Sequence, residues 1–202
     1  MIEDCTAIIL AGGDSQRMGS DKANLLLGDQ TLLQHVTAAM RQIFPQVVVS
    51  VRRPRPEIEL PQVCDEQSNQ EMRGAGPLAG LAAGIAQITT PWAFAIACDM
   101  PFMDSAMVEL LSKYRGQYQA VVPVVQDYPQ PLAAFYSTRC LSMMRAGLAG
   151  QDKSLRRMLK QLDVCYVDEE KLLVANSSLH SFFDLDTPQD VAMAIRSMDE
   201  SN

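Results

Sequence analysis

Histidine is scarce in this chain of 202 residues: only His35 and His180 occur. A histidine-rich metal centre is therefore nearly excluded, and any bound metal is expected to be a hard cation on carboxylates. The five cysteines, Cys5, Cys64, Cys98, Cys140 and Cys165, are odd in number, scattered and never spaced C-x-x-C. That pattern argues against a disulfide framework or a zinc site and for reduced thiols. No apolar run approaches the ~20 residues needed to span a bilayer, so no membrane association is expected. Basic residues are in deficit, with a formal net charge of -7. Proteins that bind DNA or RNA carry basic faces, so a nucleic-acid partner is not expected. A single nucleotide needs only a few local cations and backbone donors. The opening residues Met1-Ile2-Glu3-Asp4 lack the basic start of a secretory signal, and the expectation is a cytoplasmic protein. Internal repeats, low-complexity tracts and linkers are also missing, which suggests one domain over residues 1–202.

What is present is an alternation of strands and helices. Residues 6–10, 47–51, 92–97, 120–125, 132–136 and 164–167 read as strands, and residues 182–185 as a further short one. Helical spacing predicts a helix from Thr31 to Phe44, closed by Pro45, and others over 103–114, 138–149 and 154–161. A small-residue helix follows the glycine-rich turn at 74–80, and a last helix starts near Pro188. The strands are continuous apolar runs without polar alternation. That predicts an α/β fold whose mostly parallel sheet is covered on both faces. In such sheets ligands bind outside the carboxyl ends of the strands, where two unusual segments lie.

The first is the loop Leu10-Ala11-Gly12-Gly13-Asp14-Ser15-Gln16-Arg17-Met18-Gly19-Ser20-Asp21-Lys22. Its glycines let the backbone approach a ligand closely. Exposed N–H groups in such a loop form an anion cradle, and Arg17 and Lys22 add fixed positive charge suited to a polyphosphate. The loop is neither a Walker A motif nor a G-x-G-x-x-G fingerprint. A strand-to-helix turn carrying two solvated cations is the alternative. The second segment is Cys98-Asp99-Met100-Pro101-Phe102. Asp99 can hold a hard cation between phosphates or can cap a helix starting near Pro101. Asp186, in Asp184-Leu185-Asp186-Thr187-Pro188, poses the same choice, because it or Thr187 could cap the last helix. A carboxylate can accept paired hydrogen bonds from guanine N1–H and its amino group, so Asp65 either contributes to nucleoside recognition or is a solvated loop acid.

The pattern L-A-G-G-x-S-x-R-M-G-x-D-K resembles the signature loop of the molybdenum cofactor guanylyltransferase family. The match continues through Gly76-Pro77-Leu78-Ala79-Gly80, Cys98-Asp99-Met100-Pro101-Phe102, Pro131-Leu132 with Ala134-x-Tyr136, Ser154-Leu155-Arg156 and Asp186-Thr187-Pro188-x-Asp190, in the family's order. The resemblance implies a three-layer, Rossmann-like nucleotidyltransferase domain. It implies that GMP passes from GTP to the terminal phosphate of molybdopterin, with Mg²⁺ as cofactor and pyrophosphate as the second product. Arg17, Lys22 and Asp99 would then be catalytic, and Asp99 and Asp186 would hold the metal. Leu10, Ala11, Gly12, Gly13, Asp65, Gly76, Pro77 and Leu78 would join Arg17, Lys22 and Asp99 around the nucleotide. Pro131, Leu132 and the loop from Asp152 to Arg156 would line the acceptor side, where Arg156 and Arg157 would meet its phosphate or be solvated helix charges. Docking to molybdoenzymes or to other proteins of cofactor biosynthesis is a further implied partnership. Two alternatives stand beside this reading. One is a cytidylyltransferase on the same pterin, favoured by Asp184 and Asp186 where the guanylyl family usually carries Asn. The other is a nucleotide-binding regulator or delivery protein without turnover. No role is transferred to Arg52.

Overall fold

The structure, a computed structural model, describes residues 1–12, 22–64, 76–150 and 153–199. Strand β1 (Cys5–Leu10) is fully apolar apart from Thr6, and a short 3-10 turn (Lys22–Asn24) follows the segment after it. A small antiparallel hairpin, β2 (Leu26–Leu27) and β3 (Gln30–Thr31), leads into helix α1 (Leu32–Ile43). Thr31 caps that helix. Its hydroxyl accepts from Gln34 N while the Gln34 side chain accepts from Thr31 N, which satisfies two donors of the first turn. Strands β4 (Gln46–Val51) and β5 (Gln62–Cys64) come next, then α2 (Gly76–Ile85), β6 (Trp92–Ala97) and α3 (Ser105–Ser112). Strands β7 (Ala120–Val125), β8 (Tyr128–Pro129) and β9 (Ala133–Ser137) precede α4 (Leu141–Ala149) and α5 (Leu155–Leu159). Strand β10 (Val164–Val167), α6 (Glu169–Leu172), a 3-10 turn (His180–Phe182) and α7 (Pro188–Asp199) complete the order.

The main sheet runs β10-β7-β9-β6-β1-β4-β5, with β8 paired to β7. All neighbours along the path are parallel except β9, which is antiparallel to both β6 and β7. The mostly parallel α/β sheet expected from the sequence is therefore present. Residues 182–185 are not a strand. Phe182 ends a 3-10 turn, and Leu185 N pairs with Asp99 O in a loop rather than with the sheet.

The apolar runs are explained by two separate cores. Cys5, Ala7 and Ile9 of β1 join Phe94 and Ile96 of β6 under α1 and α3. Ile8 instead joins Ala93, Ala95 and Tyr136 under α2, α4 and α5. Alternate side chains thus enter opposite cores, and neither face requires polar residues. Phe44, Phe94 and Phe135 cluster in the first core, with centroids 4.8–6.3 Å apart; Phe44 stacks on Phe94 and meets Phe135 edge-on.

Helix α2 packs against the sheet through glycine. A Cβ on Gly84 would stand 2.8 Å from Ile8 Cδ1 and 2.9 Å from its Cγ2. Ile8 is fully buried and β-branched in a central strand, so it has little room to yield. Helix propensity alone would reward Gly84→Ala by about 1 kcal/mol. Overpacking of this kind costs about 1–3 kcal/mol. The expected result is a net loss of about 1 kcal/mol, read as a lower urea midpoint. A raised midpoint would mean that the α2–β1 interface relaxes freely.

Candidate active site

The carboxyl ends of β1 and β6 lie side by side. Cys98 N donates to Leu10 O at 3.2 Å, and Ala11 N donates to Ser50 O at 2.9 Å, so the chain leaving β1 stays tied between β6 and β4. Gly12 runs close against Arg52: a Cβ there would meet Arg52 Cγ at 3.4 Å. Arg52, for which the sequence suggested no role, thus borders the glycine loop.

Three predicted residues converge at this edge. Lys22 Nζ donates to Asp99 Oδ2 at 2.8 Å and also to Asp186 Oδ1, although Asp186 lies 164 positions away in the chain. The Asp99 and Lys22 side chains are 16% and 21% exposed, against 58% for Asp186, so the cluster has a sheltered floor and an open rim. Burial works against the charge on Lys22, but its hydrogen bonds to Asp186 and Asp99 outweigh that and push its affinity for the proton above the ordinary lysine value. Asp184 is pushed above the ordinary carboxylate value by partial desolvation, then by the negative charges of Asp186 and Asp99. The residue remains exposed, so charge repulsion is the more telling cause. Negative charge is therefore concentrated here, with an ammonium lying between two of the carboxylates.

The capping alternatives for Asp99 and Asp186 are answered by their neighbours. The N-cap of α3 is Asp104, whose Oδ1 accepts from Met107 N at 2.8 Å. At the start of α7, Thr187 Oγ1 accepts from Asp190 N at 3.2 Å, and the Asp190 carboxylate accepts from Thr187 N at 2.7 Å. This reciprocal pair caps the helix and leaves Asp186 directed at Lys22. The backbone joins the two acidic segments directly, through Leu185 N donating to Asp99 O at 2.9 Å.

Of the other predicted residues, Leu10 ends β1, with Ala11 and Gly12 just beyond it. Gly76, Pro77 and Leu78 form the first turn of α2, where Gly76 has φ +58° and Leu78 is buried in the second core. Gly13, Arg17, Asp65 and Asp152 lie outside the described residues. Leu132 is near the edge: its carbonyl accepts from Ala97 N at 3.1 Å, two residues before Asp99. The Tyr136 hydroxyl holds Pro131 by donating to its carbonyl at 2.8 Å. Arg156 and Arg157 are on α5.

Two carboxylates around one cation are a donor set that could hold a hard divalent ion. Such an ion commonly takes one or two protein carboxylates and fills the rest of its shell with water and phosphate. Among the described residues, no group of three or more His, Cys, Asp or Glu could hold a metal without such help. Nor, among those residues, is any helix long and apolar enough to cross a membrane.

Comparison with known proteins sets this edge in context. Residues 7–165 match the model of the MobA-like NTP transferase domain. A probable molybdenum cofactor guanylyltransferase of Pelotomaculum thermopropionicum is 30% identical over 191 residues, covering 94% of this chain and 91% of the relative. Among solved structures, molybdopterin-guanine dinucleotide biosynthesis protein A from Archaeoglobus fulgidus is similar, with a TM-score of 0.83 and 25% identity over 96% of this chain and 99% of that one. The fold alone is shared with 2-C-methyl-D-erythritol 4-phosphate cytidylyltransferase from Thermus thermophilus, at a TM-score of 0.66 and 20% identity over 96% of this chain and 98% of that one.

Proposed function

The chain belongs to the MobA-like NTP transferase family, and from that premise we propose that it transfers GMP from GTP to the terminal phosphate of molybdopterin. The products are molybdopterin guanine dinucleotide and pyrophosphate. Lys22 lying between Asp99 and Asp186 at the carboxyl edge of the sheet is the observation that carries nucleotidyl transfer. The choice of guanine and pterin is supported by the relatives named above.

An oxygen of the acceptor phosphate attacks the α-phosphorus of GTP. A new P–O bond forms, the bond from the α-phosphorus to the bridging oxygen breaks, and the electron pair leaves with pyrophosphate. The nucleophile is already an anion, so the protein needs no general base. Its task is in-line positioning and offsetting of charge. Asp99 and Asp186 would hold Mg²⁺, which when bound neutralises phosphate charge. Lys22 would turn its ammonium toward the phosphates, joined by Arg17 of the same loop. The backbone of Leu10, Ala11, Gly12 and Gly13 would lie along the nucleotide. The turn Gly76-Pro77-Leu78 and the Asp65 carboxylate would face the base. Pro131 and Leu132, beside Ala97, would border the acceptor, and molybdoenzymes would receive the product.

A second reading, CTP as donor, is favoured by Asp184 and Asp186 together, which resemble the cytidylyl type of acidic pair. Calorimetric titration of the purified protein with GTP and then CTP, both with Mg²⁺, separates the two. GTP binding with little response to CTP is the expected result. A preference for CTP would overturn the guanylyl assignment. Pyrophosphate release with molybdopterin as acceptor then distinguishes an enzyme from a nucleotide-binding protein that does not turn over.

A further inference from the structure

Asp104 serves two parts of the chain at once. Its Oδ1 caps α3, and its Oδ2 accepts from Asn176 Nδ2 at 2.7 Å and from Ser181 Oγ at 2.6 Å, groups 72 and 77 positions away. Ser181 is fully buried. Burial opposes the charge on Asp104, yet the hydrogen bonds from Ser181, Met107 and Asn176 hold the carboxyl below its ordinary range. Hydrogen bonds to an ionised acceptor are the stronger kind.

The two segments that meet here are the ones that carry Asp99 and Asp186. Contacts between them recur along both. Leu185 N meets Asp99 O, the His180 ring stacks on Phe102 at 4.2 Å, and Ser181 and Asn176 reach Asp104. Asp186 follows one residue after the last of these ties. The stretch 183–187 lies in neither helix nor strand, so no regular hydrogen-bond ladder fixes it. These cross-links hold it, together with Leu185, which is fully buried against Leu27, Leu32 and Ala194.

We propose that Asp104, with Ser181 and Asn176, is a positioning clasp that sets the separation of the Asp99 and Asp186 carboxylates and thereby the affinity of the site for a divalent cation. The inference rests on the reading of Asp99 and Asp186 as the cation's ligands. Asp104 touches neither substrate nor metal and acts through the segment it holds. Outer partners that orient metal ligands commonly contribute about 10–100-fold in metal affinity.

The test alters the far side of the clasp, so that the α3 cap survives. The double variant Ser181→Ala/Asn176→Ala of the full chain is compared with wild type and with Asp99→Ala. Mn²⁺ binding is followed by its electron paramagnetic resonance signal in the presence of a non-hydrolysable GTP analogue. Affinity for the analogue without metal is measured in parallel. The expected result is about tenfold weaker Mn²⁺ binding in the double variant, with metal-free nucleotide affinity unchanged. Mn²⁺ binding within twofold of wild type, with Asp99→Ala impaired, overturns the clasp and leaves the ligand reading standing. Equal loss of metal and nucleotide affinity also overturns it, because general structural support would explain both. Normal Mn²⁺ binding by Asp99→Ala, or none by wild type, defeats the ligand reading and the clasp with it. Should the double variant not fold, Asn176→Ala alone, at a half-buried position, gives the same readout with a smaller shift expected.

Discussion

Asp99→Ala is expected to lower the rate of pyrophosphate release by on the order of 10²–10³-fold while the protein melts close to the wild-type temperature. The large kinetic effect follows from its place. The carboxylate stands just beyond the end of β6, sheltered and 2.8 Å from Lys22, where the proposed transfer would require charge to be offset. The small effect on stability follows from what Asp99 does not do. It does not cap α3, since Asp104 does. Its link to the Asp186 segment is made by its backbone carbonyl, which alanine keeps. Lys22 retains Asp186 as a partner. Partly exposed ion pairs are worth about 0–1 kcal/mol, so removing this one should not unfold the chain. The check is a pyrophosphate-release assay beside a thermal melt followed by circular dichroism. Turnover within threefold of wild type would remove Asp99 from the chemistry, and a collapsed melt would make it a structural residue.

Lys22→Ala should produce a comparable fall in turnover together with a stability that depends on metal. In the free protein the Lys22 ammonium lies between Asp99 and Asp186, with Asp184 close enough to feel both charges. Without it, three carboxylates share one corner lacking that cation. Like charges so arranged repel, and an added divalent ion should relieve the repulsion. Ligands that bind only the folded state raise its melting temperature by mass action. Added Mg²⁺ should therefore raise the melting temperature of Lys22→Ala more than that of wild type, where the lysine competes for the same oxygens. Equal Mg²⁺ responses in the two proteins would show that the ammonium and the ion do not share a site. Kinetics give a separate reading. If Lys22 meets the phosphates only in the transition state, kcat falls and KM changes little.

The architecture was largely legible in the chain itself. The runs 6–10, 92–97, 120–125 and 164–167 became strands within a residue of the expected limits, because buried parallel strands need unbroken apolar composition. Thr31 and Pro45 bracketed α1 as expected from local chemistry. Local signals failed at 182–185. Phe182-Phe183 has strand composition, but a strand also needs a free edge to pair with, and the Asp99 loop takes up that backbone instead. Short features with little periodicity, the β2–β3 hairpin and α6, were likewise illegible.

At the candidate site, sequence alone determined the residue types: an acid ending a buried strand, a lysine closing a glycine loop, and an acid ahead of Pro188. Each acid left a choice between ligand and cap, because the local patterns of the two roles overlap. Only the tertiary structure removed the cap from that choice, by supplying Asp104 and the Thr187–Asp190 pair as the caps, and it brought Lys22 to Asp99 and Asp186. The clasp of Asp104 on Ser181 and Asn176 had no sequence signal at all. A hydrogen bond between residues more than 70 positions apart leaves no periodic trace, and it exists only once the packing of the whole sheet has brought two loops together.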